Sequence, residues 1–131
     1  RNLNLIKTLC PDMQVFGIDV NDTALAQGQK KFKLLLCSGD EEFLHQMSSN
    51  YADVVFTNSV LCHIQNIQQI IDDLKRIAKI GVMCVETNEI KGKFYYQHDY
   101  KAYSFRKFNE LRSVPQPHGN DALYEFWWYQ K

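Results

Sequence analysis

The sequence predicts an α/β fold built on a mostly parallel sheet with an antiparallel strand at its C-terminal edge. Short apolar runs of strand length alternate with segments whose apolar residues recur at helical spacing. Successive runs end on polar residues: Asp19, then Gly39-Asp40, then Asn58-Ser59, then Glu86-Thr87-Asn88. The last run, "ALYEFWWYQK", is aromatic and strongly β-prone with no helix after it, which predicts antiparallel pairing at an edge.

The elements follow in order. Leu3, Ile6 and Leu9, or Leu5 and Leu9, keep helical spacing, and Pro11 ends that helix. "MQVFGIDV" is a strand. Asn21 is placed to cap the next helix, whose face carries Ala24, Leu25, Gly28 and Phe32, with Gly28 weakening it. "KLLLCS" is continuously apolar, as expected of a strand covered on both sides, and Gly39-Asp40 breaks it. "EEFLHQM" makes a short helix, "ADVVFTN" a third strand, and "SVLCHIQN" a connection with apolar anchors. The clearest helix carries Ile67, Ile70, Ile71, Leu74, Ile77 and Ala78 on one stripe, with Asn66 as its cap. Gly81 follows its basic last turn (Lys75, Arg76, Lys79) as a C-terminal stop. "VMCVETN" is a fourth strand. Beyond Glu89 the chain turns aromatic and basic, with a helix expected from Ser104 to Leu111 and a turn-rich connection in "SVPQPHGND". Helices on both faces with right-handed crossovers complete the prediction.

A chain of 131 residues is read as one domain, 1–131. Its 15 basic and 15 acidic side chains cancel, which removes any general electrostatic reason to expect nucleic acid or an anionic membrane as partner. The stretch "KFYYQHDYKAYSFRKF" has rings on which bases could stack, but Asp99 and Glu110 dilute its charge. No apolar stretch approaches the roughly 20 residues of a membrane span, and "RNLNLIKTLCPDMQ" lacks the apolar run of a signal peptide. Cysteines at 10, 37, 62 and 84 have neither metal-ligand nor redox spacing. They read as free thiols in a cytoplasmic protein, and no metal site is expected.

Ligands of open parallel sheets bind beyond the carboxyl ends of the strands. There Asp19 could accept hydrogen bonds from both ribose hydroxyls of an adenosine cofactor, a geometry that nicotinamide dinucleotides share. Asp40 could accept from an adenine amino group, with Val20 and Phe43 enclosing the ring. Each residue also has a local role open to it. An acid before a helix favours the helix N-terminus, Gly39-Asp40 makes turns, and Asn58 and Ser59 can bond nearby backbone.

"VFGIDVNDTALAQGQ", "LCSGDEEFL", "ADVVFTNSVLCHIQNIQQIIDDLKRIAK" and "GVMCVETNE", in this order, resemble the successive motifs of class I S-adenosylmethionine-dependent methyltransferases over about residues 1–89. The resemblance implies a three-layer, Rossmann-like domain using S-adenosylmethionine to methylate a small molecule. It implies that Asp19 binds ribose, that Asp40 with its neighbours Val20 and Gly39 binds adenine, and that Asn58 and Ser59 line the methionine end. Residues 1–89 would form the cofactor-binding part and 90–131 the variable acceptor lid and edge strand. His63, His98, Asp99, Tyr100 and Tyr103 are then acceptor-pocket candidates. His63 is a residue type suited to a general-base role, or it is a hydrogen-bonded structural histidine between Cys62 and Ile64. No catalytic residue is assigned, because methyl transfer can proceed by alignment of acceptor and methyl alone.

The family's first strand and its Gly-x-Gly-x-Gly loop have no counterpart. Glycines stand at 17, 28, 39, 81, 92 and 119, and no two form Gly-x-Gly. The expectation is a domain with its first strand missing, weak cofactor binding, and two sheet edges that meet each other, are filled by another copy in a homo-oligomer, or pair with residues outside this sequence. Two alternatives belong to other classes: a nicotinamide-dependent oxidoreductase sharing the acid of Asp19, and a non-catalytic truncated module acting in oligomerisation or interaction.

Overall fold

A computed structural model describes residues 2–32, 35–87, 92–112 and 123–131. The chain forms two compact units, 1–46 and 47–131.

The first unit contains α1 (Asn2–Leu9), β1 (Phe16–Asp19), α2 (Asp22–Phe32), β2 (Leu35–Ser38) and α3 (Glu41–Gln46). In α1 the half-buried residues are Leu3, Asn4 and Ile6, whereas Leu9 is exposed, which decides between the two helical faces open in the sequence. Lys7 closes the helix by donating to the carbonyls of Pro11 and Met13. Asn21 caps α2 as expected, its Oδ1 accepting from Ala24 N at 3.0 Å. Leu25 is the buried anchor of that helix. Gly28 lets the helix lie close to β2, since a Cβ there would stand 2.6 Å from Leu36 Cδ1. β1 and β2 pair in parallel from Phe16–Leu35 to Asp19–Ser38 and form a two-stranded sheet of their own. The expectation that β2 is covered on both sides is corrected here: Leu35 is 74% exposed, because β2 is an outer strand of a sheet only two strands wide.

The second unit contains β3 (Ala52–Asn58), a 3₁₀ turn (Leu61–His63), α4 (Gln68–Ile77), β4 (Ala78–Thr87), a second 3₁₀ turn (Tyr100–Tyr103), β5 (Arg106–Arg112) and β6 (Leu123–Gln130). Its sheet runs β3-β4-β6-β5. β3 and β4 are parallel, joined across α4, which buries Ile70, Ile71, Leu74 and Ile77. Burying such side chains contributes about 1.5–3 kcal/mol each. β6 pairs antiparallel with β4 on one side and β5 on the other. The fold is thus mixed α/β, with parallel pairs and an antiparallel margin.

Three local expectations are corrected. Residues 104–111 are not helical. Ser104 adopts φ 65°, ends the 3₁₀ turn, and releases the chain into strand β5. Pairing with β6 overrides a helical apolar spacing. Gly81 is not a helix stop either. The chain passes directly from α4 into β4, and Gly81 lies on that strand without a positive φ. A side chain there would strike the Tyr129 carbonyl and the Trp128 ring of β6, so the glycine serves close strand approach. Ala78, placed on the helical stripe by its spacing, is fully buried as the first residue of β4. Asn88, the connection at 113–121, residues 33–34 of the second strand and the side chain of Phe32 lie outside the described residues.

Candidate functional site

In the first unit, two acids end the two strands. Asp19 is exposed, and its Oδ1 accepts from Asn21 N at 2.9 Å, a local turn that sets up the cap of α2. Asp40 Oδ1 accepts from Phe43 N at 3.1 Å and so caps α3. Gly39 N donates to the Asp19 carbonyl at 3.2 Å, tying the two strand ends together. A Cβ at Gly39 would stand 2.8 Å from the Phe43 ring and 2.9 Å from Ile18, so only glycine leaves this floor open. Val20, Ser38, Gly39, Asp40, Glu42, Phe43 and Gln46 line an open hollow of about 440 Å³. It offers an apolar wall, a ring face and acceptor-rich carboxylates, a combination suited to a flat heterocycle carrying an amino donor. Val20, Gly39, Asp40 and Phe43 are therefore brought together, while Asp19 stands at the adjoining strand end outside the lining.

Asn58 and Ser59 belong to the second unit and are half-buried. Ser59 takes φ 53°, an uncommon conformation for a non-glycine residue, just where β3 ends. Its N–H donates to the Val85 carbonyl at 2.9 Å, and its hydroxyl approaches Asn58 Oδ1 at 3.4 Å.

Beneath this turn lies Glu86, which is fully buried. Its Oε1 accepts from Thr57 Oγ1 at 3.0 Å and from Val60 N at 3.2 Å, and its Oε2 accepts from Cys62 N at 3.2 Å. Burial raises its pKa, against the opposing pull of the Val60, Cys62 and Leu61 N–H groups and the Thr57 hydroxyl. Burial, and then the nearby Glu86, push the Cys62 thiol up to about 12. Burial pushes Cys84 up to about 12 as well. Glu86 was visible in the sequence only as a polar strand end. The missed signal is alternation: Val82, Cys84 and Glu86 share one strand face, and all three are fully buried.

The acceptor candidates separate. His63 is exposed, with Nδ1 2.9 Å from the Phe94 carbonyl and its ring 4.7 Å from that of Tyr95. His98 Nε2 lies 3.0 Å from the Leu61 carbonyl, and Tyr96 N donates to Cys62 O at 2.8 Å. Residues 94–98 are thus strapped onto the 61–63 turn, and the two histidines share it. Asp99 caps the second 3₁₀ turn through Lys101 N. Tyr100 presents no surface to a ligand: it is fully buried, with its ring among those of His98, Phe105 and Trp127. Tyr103 is half-buried, and its carbonyl accepts from Lys75 Nζ at 2.7 Å. Tyr103 and Lys107 also keep a Tyr-x-x-x-Lys spacing, the signature a nicotinamide oxidoreductase would use. Lys107 lies on β5, however, bound to Glu110 and Glu125. Among the described residues no group of three or more His, Cys, Asp or Glu could hold a metal ion, and no helix is long and apolar enough to cross a membrane.

The sequence model of one protein family, described as "Methyltransferase domain", matches residues 1–85. No curated protein matches the chain. Among solved structures, the chain is similar to the N-methyltransferase NodS from Bradyrhizobium japonicum WM9 in complex with S-adenosyl-L-homocysteine. The TM-score is 0.61 at 15% identity, covering 92% of this chain and 69% of that one. It is similar to magnesium protoporphyrin IX methyltransferase (ChlM) from Synechocystis PCC 6803 with bound S-adenosyl-L-homocysteine, at TM-score 0.60 and 16% identity. That match covers 86% of this chain and 63% of that one. It is also similar to a SAM-dependent methyltransferase from Aquifex aeolicus, at TM-score 0.63 and 12% identity, covering 95% of this chain and 73% of that one. At these identities the likeness shows the fold, and the chain spans part of each structure's length.

Proposed function

The chain belongs to the methyltransferase-domain family, whose pattern it matches over residues 1–85, and on that premise we propose that it transfers a methyl group from S-adenosylmethionine to a small-molecule acceptor. The observation that carries this is the hollow beside Gly39 and Asp40. Val20 and Phe43 would enclose the adenine, and Asp40 would accept from its amino group with the lone pairs left after capping α3. Asp19 would accept from the ribose hydroxyls, and Asn58 and Ser59 of the second unit would take the methionine-end role that the family resemblance implies. When bound, the cofactor supplies a methyl group on a sulfonium centre. The chain's part is then to align an acceptor with it. The two neighbours whose structures contain S-adenosyl-L-homocysteine support this choice of cofactor, and the magnesium protoporphyrin IX in the name of one of them supports a small-molecule acceptor. His63 and His98, on one turn, are the acceptor-side candidates.

Two finer features belong to the same proposal. These 131 residues contain no Gly-x-Gly segment, so on their own they would hold adenosine without a glycine loop at the methionine end and bind weakly. Four free cysteines accord with a reducing, cytoplasmic setting. Titration with S-adenosyl-L-homocysteine, followed by two-dimensional NMR, tests the assignment. Weak binding is expected, with shifts centred on residues 18–20 and 38–43. Asp40→Ala and Asp19→Ala should each weaken it about tenfold, the loss of one charge-assisted hydrogen bond. Unchanged affinity in both variants would overturn the site, and a micromolar constant would overturn the claim of weak binding.

A further inference from the structure

We infer that Glu86 is a positioning residue: its buried carboxylate fixes the 59–62 backbone and thereby sets where Asn58 and Ser59 are presented. The inference rests on the cofactor site proposed above and adds to it a residue that touches no ligand. Three donors converge on this one side chain from three places in the turn region. They are the Thr57 hydroxyl at the end of β3 and the N–H groups of Val60 and Cys62 on either side of Leu61. A carboxylate accepts at both oxygens, so it satisfies all three donors at once.

The turn's own 3₁₀ bonds, His63 N to Val60 O and Ile64 N to Leu61 O, both at 3.1 Å, leave the N–H groups of Val60 and Cys62 to Glu86. Ser59 sits at φ 53°, and a strained residue persists only where its surroundings over-determine it. Here the surroundings are both on β4: the Val85 carbonyl, which accepts Ser59 N–H, and the Glu86 side chain one residue on. Thr57 is buried and Ser59 half-buried, so the segment passes from core to surface within two residues, with Glu86 as its inner anchor. On the outer side, Tyr96 N–H and the two histidines bind the carbonyls of Cys62 and Leu61 and the Phe94 strap. The inner and outer anchors differ in kind. The strap bonds mainly to carbonyls of the turn, whereas Glu86 takes the N–H groups of Val60 and Cys62.

Isosteric Glu86→Gln tests this. Glutamine offers one acceptor oxygen and turns its NH₂ toward a donor, so at least one N–H loses its partner. The variant and wild type are compared at about pH 8, where acid protonation is least in play. Amide exchange at Val60 and Cys62 should rise about tenfold, the equivalent of one hydrogen bond to a charged group. In the same samples, S-adenosyl-L-homocysteine should bind about tenfold more weakly. Ile71→Val, a core change away from the turn, serves as the stability control and should leave the affinity unchanged. If exchange at 60 and 62 is unchanged, or rises without loss of affinity, the positioning role is overturned. A loss of affinity that Ile71→Val reproduces at equal loss of thermal stability also overturns it. A wild type that shows no shifts with the ligand overturns the cofactor site and the inference with it. A wild type that binds, with a Glu86→Gln variant that binds as well, overturns the inference alone. Should Glu86→Gln not fold, Thr57→Val removes one of the three donors, and the same two readouts decide with a smaller loss expected in each.

Discussion

Asp40 illustrates how one side chain can serve two levels of structure. One oxygen caps α3 through Phe43 N, and the same bond holds the Phe43 ring over the Gly39 floor. Local turn chemistry and ligand binding, which look like competing roles in the sequence, are compatible because a carboxylate has lone pairs for both. Glu86 is the opposite case, wholly spent inside the protein. Its raised pKa gives a signed expectation. The unfolded chain titrates near 4.3 and the folded chain above that. The stability contribution of this group is therefore fully present below the unfolded value and is lost as pH rises through the folded one. Thermal melts across that range should show Glu86→Gln gaining stability relative to wild type as pH rises. A flat difference would mean that the carboxylate is not burdened by burial.

Among the elements, α4 and β4 form the most legible pair. The apolar stripe follows from spacing and is buried as spacing predicts, and the strand expected after it is present, beginning at Ala78. β5 was not legible, because its seven residues are all exposed and carry no buried face to reveal a period. What makes it a strand is β6, together with the left-handed turn at Ser104. Lys107, held by Glu110 and Glu125, also guards this outer edge with charge. The role of Gly81 likewise depends on β6. Gly81→Ala should cost about 2 kcal/mol, since a methyl group has no room beneath Tyr129 and Trp128 without strand displacement. Chemical denaturation measures this, and a loss no larger than an exposed strand substitution would show that the strands adjust.

At the scale of the whole molecule, the described strands fall into two sheets, each with an outer strand that has a neighbour on one side only. Among the described residues β1 pairs with β2 alone and β3 with β4 alone. Such edges present unpaired N–H and C=O groups, a template for another chain, and we propose that copies of this polypeptide associate through them. Sedimentation should give a concentration-dependent mass above the monomer, weakened when Lys replaces the exposed edge residue Val54. A monomer at all concentrations would sink that expectation.

The sequence by itself determined the order of elements as far as β4, the family, the cap at Asn21 and the apolar stripe of α4. All of these depend on residues close along the chain, where spacing and short-range hydrogen bonds suffice. Only the tertiary structure decided the fate of Glu86, Tyr100, Gly81 and β5. Each answers to a partner far along the chain: Thr57 and Cys62 for Glu86, Trp127 for Tyr100, and β6 for both Gly81 and β5. Whether a polar strand end becomes a rim or a core anchor depends on which distant donors and rings close over it, and local pattern carries no record of that.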